Sequence, residues 1–295
     1  MSIYLTGASG FVGKNIIEFF RDSKKIVKAT RNISIEFEEQ VVIHLAGKAH
    51  DLKNVSSSDE YYKVNTELTK EIFDAFLISE AKVFITLSSV KAVADEVDGE
   101  LTEEVTPNPI THYGKSKLLA EQYILSQPIP DGKRVYILRP CMIHGPGNKG
   151  NLNLLYSLVS KGFPWPLGLF KNSRSYLSID NLCFIIKELI EREDIPSGVY
   201  NVADDIPLST NELINIIAVS KGKKATILNM SQKLIRLLAR VGDFLKLPLD
   251  SERLQKLTES YVVSNAKIKA ALGKPLPVSS KEGLMRTFKS FADNV

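Results

Sequence analysis

Eight residues near the start of the chain, TGASGFVG at positions 6–13, constrain its fold more than any other stretch. Its three glycines follow a short apolar run, SIYL, and lead into FVGKNIIEFF, whose apolar residues recur at helical spacing. A turn that ends a strand and opens a helix has definite uses for residues without side chains. One lets the backbone turn tightly, one lets an outside group approach the backbone, and one lets the helix pack closely on the sheet. The unpaired N–H groups of the helix start then point at a phosphate. Gly7, Gly10, Phe11, Val12 and Gly13 are therefore expected to hold the pyrophosphate of a dinucleotide.

The rest of the chain supplies a sheet for such a turn. Apolar, β-branched runs near 2–6, 25–30, 40–45, 82–88 and 134–139 alternate with helical patterns over 11–21, 60–79 and 113–126. Strands apolar on both faces, separated by helices, predict an α/β fold with a doubly wound parallel (Rossmann) sheet. After residue 140 the alternation breaks up, and the Gly/Pro-rich runs GPGNKGN and KGFPWPLG mark loops. Short helices follow from about 204. The expected organisation is a dinucleotide-binding domain over 1–165, to which 176–203 return. A smaller, helix-rich C-terminal substrate lobe comprises 204–295 with 145–175. Within it, KLIRLLARVGDFLKL (233–247) is amphipathic and cationic. A packed helix is the first expectation for it and a membrane-surface helix the alternative.

Composition narrows the function classes. A net charge of +4 with dispersed basic residues argues for no nucleic-acid partner. Two cysteines, Cys141 and Cys183, give no disulfide framework and fit a reducing compartment. His44, His50, His112 and His144 share no ligand spacing, so no metal site is expected. No apolar run reaches the ~18 residues of a membrane span, and the first strand begins at residue 2, leaving no room for a leader. The expected location is the cytoplasm.

The choice of dinucleotide rests on the end of the second strand, where NAD-binding sheets usually carry a carboxylate for the adenosine ribose. Here the sequence reads VKATRN, with Thr30 and Arg31. An arginine there pairs with a 2′-phosphate and stacks on adenine, so NADP(H) is favoured, with NAD(H) the alternative. Farther on, HYGKSK places Tyr113 and Lys117 one helical turn apart. A phenol with an ordinary pKa near ~10 is a poor base at neutral pH, and an adjacent ammonium favours its phenolate. TLSSVK adds Ser88 and Ser89 at the end of the fourth strand.

Together, TGASGFVG, VIHLAG, YYKVNTELT, TLSSVK, HYGKSKLLAE, LRPCMIHGPG, RSYLSIDNL and GVYNVADDIPLSTNEL, in this order, resemble the extended short-chain dehydrogenase/reductases of the NAD-dependent epimerase/dehydratase group, which act on nucleotide sugars. The resemblance implies that Ser89 hydrogen-bonds the reacting sugar oxygen and that Tyr113 donates and accepts the proton. It implies that Lys117 holds the nicotinamide ribose and lowers the tyrosine pKa. By the same resemblance Leu45, Ala46 and Gly47 line the adenine–ribose side, and Pro140 and Met142 the nicotinamide end. Ser88, Asn151 and Arg174 match substrate contacts, Arg174 to the diphosphate. A homodimer through the helices near 60–79 and 113–126 is also implied. Ile72, Phe76, Leu119 and Tyr123 are candidates for that face, or equally for the face turned to the sheet.

Departures from the family pattern select the reaction. Dehydratases of this group carry an Asp-Glu pair after the catalytic Thr, whereas this chain has Val90 and Lys91, which argues against dehydration. Val93 and Ala94 replace a Tyr-Gly pair, and His144 replaces the tyrosine before Gly-Pro-Gly. Both loosen the match to UDP-galactose 4-epimerase. GPGNKGNLNLLYSLVSKGFPWPLG, NSRSYLSIDNL and VSNAKIKAALG are most similar to bacterial UDP-4-keto-6-deoxy-N-acetylhexosamine reductases of surface-polysaccharide synthesis. The expected activity is thus a 4-keto reduction of a UDP-sugar. A UDP-sugar 4-epimerase using bound NAD is the alternative, and a non-catalytic dinucleotide sensor the outside one.

Overall fold

The computed structural model describes residues 1–29, 37–48, 57–148, 150–245 and 249–292, apart from the Asn151 side chain. β1 (Ser2–Thr6) leads through the glycine turn into α1 (Phe11–Phe20) and back to β2 (Lys25–Lys28). β3 (Val41–His44) precedes a long helical run made of α2 (Ser58–Tyr61), a π-helical turn (Tyr62–Glu67) and α3 (Leu68–Ile78). β4 (Val83–Leu87), a 3₁₀ turn (Val90–Ala92), β5 (Glu100–Leu101), α4 (His112–Ser126), β6 (Arg134–Pro140) and β7 (Met142–His144) follow. The later elements are α5 (Asn151–Ser160), β8 (Tyr176–Ser178), α6 (Ile179–Glu191), β9 (Gly198–Val202), α7 (Thr210–Ser220) and α8 (Gln232–Leu245). α9 (Ser251–Thr258), β10 (Val262–Val263), α10 (Ala266–Leu272) and α11 (Ser280–Ala292) complete them.

The main sheet has six parallel strands in the order β2-β1-β3-β4-β6-β9. This is the doubly wound sheet expected from the alternation, with β9 as a sixth strand drawn from the returning segment. β2 ends at Lys28 rather than residue 30. The chain leaves β1 towards β2 on one side and returns to β3 on the other. The loops after β1 and β3 therefore diverge at the carboxyl edge and open a crevice there.

Side-chain alternation explains the two covered faces. Ile3, Leu5, Ile43, Ile85 and Leu138 point to one side, where α1 and α6 supply Ile16, Phe20, Leu182 and Leu189. Tyr4, Val42, Phe84 and Ile137 point to the other, against Phe73 and Phe76 of α3 and Ile124 of α4. Ile72 and Phe76 thus face the sheet, while Leu119 of the same four candidates is exposed. A separate core under Trp165, Leu213, Ile217, Ile235, Leu254 and Phe288 holds the smaller lobe together. Residues Tyr261, Val263, Ile268 and Leu272, late in the sequence, pack instead with the core of the sheet. Cys141 and Cys183 are free and buried. Among the described residues, no helix is long and apolar enough to cross a membrane, and no cluster of His, Cys, Asp or Glu is arranged to hold a metal.

Candidate active site

The three glycines of the first turn are bare for different reasons. Gly7 has φ +70°, and a Cβ on it would stand 2.6 Å from the Leu45 carbonyl carbon and 2.7 Å from the Ala46 nitrogen. A Cβ on Gly13 would stand 2.3 Å from the Gly7 oxygen. Packing within the protein forbids side chains at both. Gly10 is different: its φ is −72°, and a Cβ there would meet only the Gly7 oxygen at 3.3 Å. What a side chain at Gly10 would fill is the space in front of α1. No side chain caps that helix and no acidic residue lies in its first turn. Its leading N–H groups are aimed outward, an arrangement that fits the diphosphate of a dinucleotide.

Beside this cradle, a directional relay fixes the loop after β3. The Thr69 hydroxyl donates to the Asn65 carbonyl at 2.8 Å, so it accepts from His44 Nε2 at 3.0 Å. His44 Nδ1 then accepts from the Thr6 hydroxyl at 2.8 Å. The Thr6 oxygen in turn accepts the backbone N–H groups of Leu45 (3.1 Å) and Ala46 (3.0 Å). Burial, assisted by the Lys117 charge, holds the His44 pKa down at about 3, so the ring is neutral and its two nitrogens have opposite roles. Asn65 closes the other side. Its amide accepts from the Lys48 N–H at 2.7 Å and donates to the Lys48 carbonyl and to Ser116 Oγ. The π-turn carries Asn65, which the helical period over 60–79 does not reveal.

Lys117 enters from α4. Its ammonium donates to the Leu87 carbonyl at 2.8 Å. A Cβ on Gly47 would lie 3.1 Å from the Lys117 nitrogen and 3.2 Å from Asn65 Oδ1. Burial lowers the Lys117 pKa to about 8, with the Glu121 carboxylate opposing. Glu121, one turn farther along α4, is itself held by Arg139 of β6 through three contacts of 2.5–3.1 Å. The Tyr113 phenol is hydrogen-bonded to Ser89, and its pKa is raised above the ordinary 10, chiefly by burial and also by Tyr61, with the Ser89 bond opposing, rather than lowered as the family resemblance implied. Ser89 Oγ accepts the Lys91 N–H at 3.2 Å, and its own proton is directed to the Tyr113 oxygen, which is why that bond lowers the phenol pKa.

Gly114 makes this meeting possible, because a Cβ on it would stand 2.3 Å from the Lys91 carbonyl oxygen. The 3₁₀ turn bearing Ser89 thus lies against the first turn of α4 bearing Tyr113. Asp95 fixes the same helix start by accepting the Ile110 and Thr111 N–H groups, while Thr111 caps Gly114.

The structure therefore gathers Gly7, Gly10, Phe11, Val12, Gly13, Leu45, Ala46, Gly47, Ser89, Tyr113 and Lys117 along the carboxyl edge of the sheet. The Ser88 hydroxyl is buried without a hydrogen-bond partner. Pro140 ends β6 opposite Val202, and Met142 opens β7 against the core of the smaller lobe. Arg174 donates to the Lys256 carbonyl at 2.6 Å and to Glu259 at 3.2 Å. Its strand neighbour Tyr261 reaches the Val90 carbonyl beside Ser89. Thr30, Arg31 and the Asn151 side chain lie outside the described residues. His44, Tyr61, Asn65, Gly114 and Arg139 are the site residues that sequence reasoning missed. Asn65 and His44 sit inside YYKVNTELT and VIHLAG, so the motifs were visible but the roles of those two residues were not.

The model of the NAD dependent epimerase/dehydratase family matches residues 3–203. A UDP-glucose 4-epimerase of Vibrio cholerae is 32% identical, over 98% of this chain and 95% of its own length. An N-acetyl-alpha-D-glucosaminyl-diphospho-ditrans,octacis-undecaprenol 4-epimerase of Escherichia coli O157:H7 is 26% identical, over 98% and 94%. Among solved structures, RMD from Pseudomonas aeruginosa complexed with NADPH superposes with a TM-score of 0.75 at 20% identity, covering 99% of each chain. UDP-glucuronic acid 4-epimerase from Bacillus cereus, in complex with NAD, gives 0.75 at 19%, over 100% and 99%. With the glycine cradle, the Ser89 turn and the Tyr113–Lys117 helix in the order that the matched model spans, the chain belongs to the NAD dependent epimerase/dehydratase family.

Proposed function

We propose that the chain transfers hydride at C4 of a nucleotide sugar, a UDP-(6-deoxy)-N-acetylhexosamine, using NAD(P). The observation that carries this reading is the Tyr113 phenol hydrogen-bonded to Ser89, with Lys117 one turn away and the dinucleotide cradle along the same sheet edge. When bound, the nicotinamide supplies or removes the hydride. With substrate bound, the Ser89 hydroxyl would turn from Tyr113 to donate to the sugar oxygen at C4 and orient it. Tyr113 moves the proton to or from that oxygen, and Lys117 favours the phenolate electrostatically while reaching towards the nicotinamide ribose. Buried Lys117, at about 8, retains most of its charge at neutral pH. Ser88, Asn151 and Arg174 are assigned to the substrate, with Arg174 at the diphosphate. Pro140 and Met142 line the nicotinamide end.

Two net outcomes share these groups. A 4-keto reductase is favoured by Thr30 and Arg31 after the second strand and by the reductase-like segments from residue 145 on, while Val90 and Lys91 argue only against dehydration. A 4-epimerase is favoured by the near full-length relatives of that activity. NADP(H) is preferred on the strength of Arg31, and NAD(H) is the cofactor of the epimerase reading. The reaction is placed in the cytoplasm. The homodimer implied by the family resemblance would use the outer groove between the π-helical turn with α3 and α4, lined by Tyr62, Leu119 and Tyr123.

The test is to denature the purified protein, identify any released nucleotide by mass, and assay two substrates. Consumption of added NADPH with a UDP-4-keto-6-deoxy-N-acetylhexosamine establishes the reductase. Retained NAD with cofactor-free interconversion of UDP-sugar epimers establishes the epimerase. Failure of both would overturn the reading.

A further inference from the structure

α8 is docked by only about a third of its apolar positions. Ile235, Ala239 and Gly242, one turn apart, form a narrow buried stripe. Contact is close there: a Cβ on Gly242 would stand 1.9 Å from the Leu249 oxygen. Beside that stripe, Leu234, Leu237, Leu238, Val241, Phe244 and Leu245 form a second one that faces solvent. Phe244 is 87% exposed and Leu237 57%. At 3.6 residues per turn the six side chains occupy roughly a third of the helix circumference. A single exposed leucine needs no explanation, but a continuous apolar stripe marks a surface that meets something.

The charges beside the stripe say what it meets. Lys233, Arg236 and Arg240 rise turn by turn along its edge, and all three are exposed. The acidic residue on this helix, Asp243, is turned to α9, where it accepts from the Ser251 N–H (2.8 Å) and hydroxyl (2.6 Å). The outward face is therefore apolar with a cationic rim, the pattern of a helix lying in an interfacial plane. A second copy joined by a two-fold axis would bring the same cations into the shared rim.

We propose that α8 seats this protein on an anionic lipid bilayer surface, its leucines and Phe244 in the acyl boundary and its cations among the headgroups. The seat lies close to the substrate side. α9, which leans on α8, gives its Lys256 carbonyl to Arg174 and its Leu257 carbonyl to Thr210. Docking would hold the Arg174 end of the smaller lobe one helix layer above the membrane. The proposal is independent of which sugar the site takes.

Cosedimentation of the full chain with vesicles tests it. The vesicles are phosphatidylethanolamine with one quarter phosphatidylglycerol, and pure phosphatidylcholine as control. The expected result is binding to the anionic vesicles, weakened about tenfold in Arg236→Gln/Arg240→Gln and by high salt. Leu237→Ser/Phe244→Ser should weaken it by at least ~30-fold. Both variants change exposed residues, and an unchanged thermal midpoint and NADPH titration will show that they are folded. Wild-type protein remaining in the supernatant with both vesicle types would overturn the proposal. So would binding that Leu237→Ser/Phe244→Ser leaves intact. A dimer in sedimentation velocity that this variant dissociates would give the face to a second copy instead.

Discussion

The glycine turn and the smaller lobe meet the same steric demand over different lengths of chain. Gly13 must be bare because the Gly7 carbonyl stands 2.3 Å from where its Cβ would be, within one turn of chain. Gly168 is crowded by the Leu228 carbonyl oxygen at 2.9 Å, beside the side chains of Asn229 and Ile227, all delivered from another part of the chain. Arg174 and Glu259 likewise meet across 85 residues. At Gly13 the obstruction comes from a neighbour in sequence; at Gly7, met by the Leu45–Ala46 backbone, and at Gly168 it is delivered by the fold. The first kind of necessity recurs as a motif, and the second leaves only a residue whose reason lies elsewhere.

That contrast is best broken at its strongest joint. Glu121→Ala strands the Arg139 guanidinium in the interior beneath α4, a loss of about 3–5 kcal/mol. Urea denaturation should show it as a large fall in midpoint. Next come Gly13→Ala and Gly168→Ala. Each forces a Cβ into occupied space at a cost of up to about 3 kcal/mol. Only Gly13→Ala should also abolish NADPH binding in a fluorescence titration; equal loss in both would erase the distinction between the regions.

His44 gives a pH signature to the cofactor edge. Its folded pKa of about 3 lies below the ordinary 6.5, so the unfolded chain takes up a proton that the native state refuses. The associated stability is complete above about pH 6.5 and is lost as pH falls towards 3. By pH 5 the loss is about 2 kcal/mol. The urea midpoint of wild type should therefore fall more steeply between pH 7 and 5 than that of His44→Gln. The smallest structural effect is Gly10→Ala: a change in stability below about 0.5 kcal/mol, yet roughly tenfold weaker dinucleotide binding, because its Cβ enters the phosphate space rather than the protein.

The same contrast explains what the sequence made legible. Alternation in β1, β3, β4 and β6, with helical period between, was enough for the sheet, because each strand is apolar on both faces. The glycine spacing of TGASGFVG and the one-turn Tyr113–Lys117 spacing of HYGKSK were readable because each is a pattern within one short stretch. Asn65 was not, since a π-turn leaves no periodic mark, and neither was Gly114, whose obstruction is the Lys91 carbonyl of another segment. α8 was recognised as amphipathic, but an amphipathic pattern does not tell how much of the apolar arc is covered. Packing of Ile235, Ala239 and Gly242 covers about a third of its apolar positions.

The most direct test of the proposed chemistry is Tyr113→Phe, which removes one hydroxyl and leaves the ring. With a UDP-4-keto-6-deoxy-N-acetylhexosamine and NADPH, or with UDP-sugar epimers if that is the substrate pair, turnover should fall about 10³-fold, while NADPH titrates the variant as it does wild type. A Tyr113→Phe protein that keeps full turnover would contradict the account.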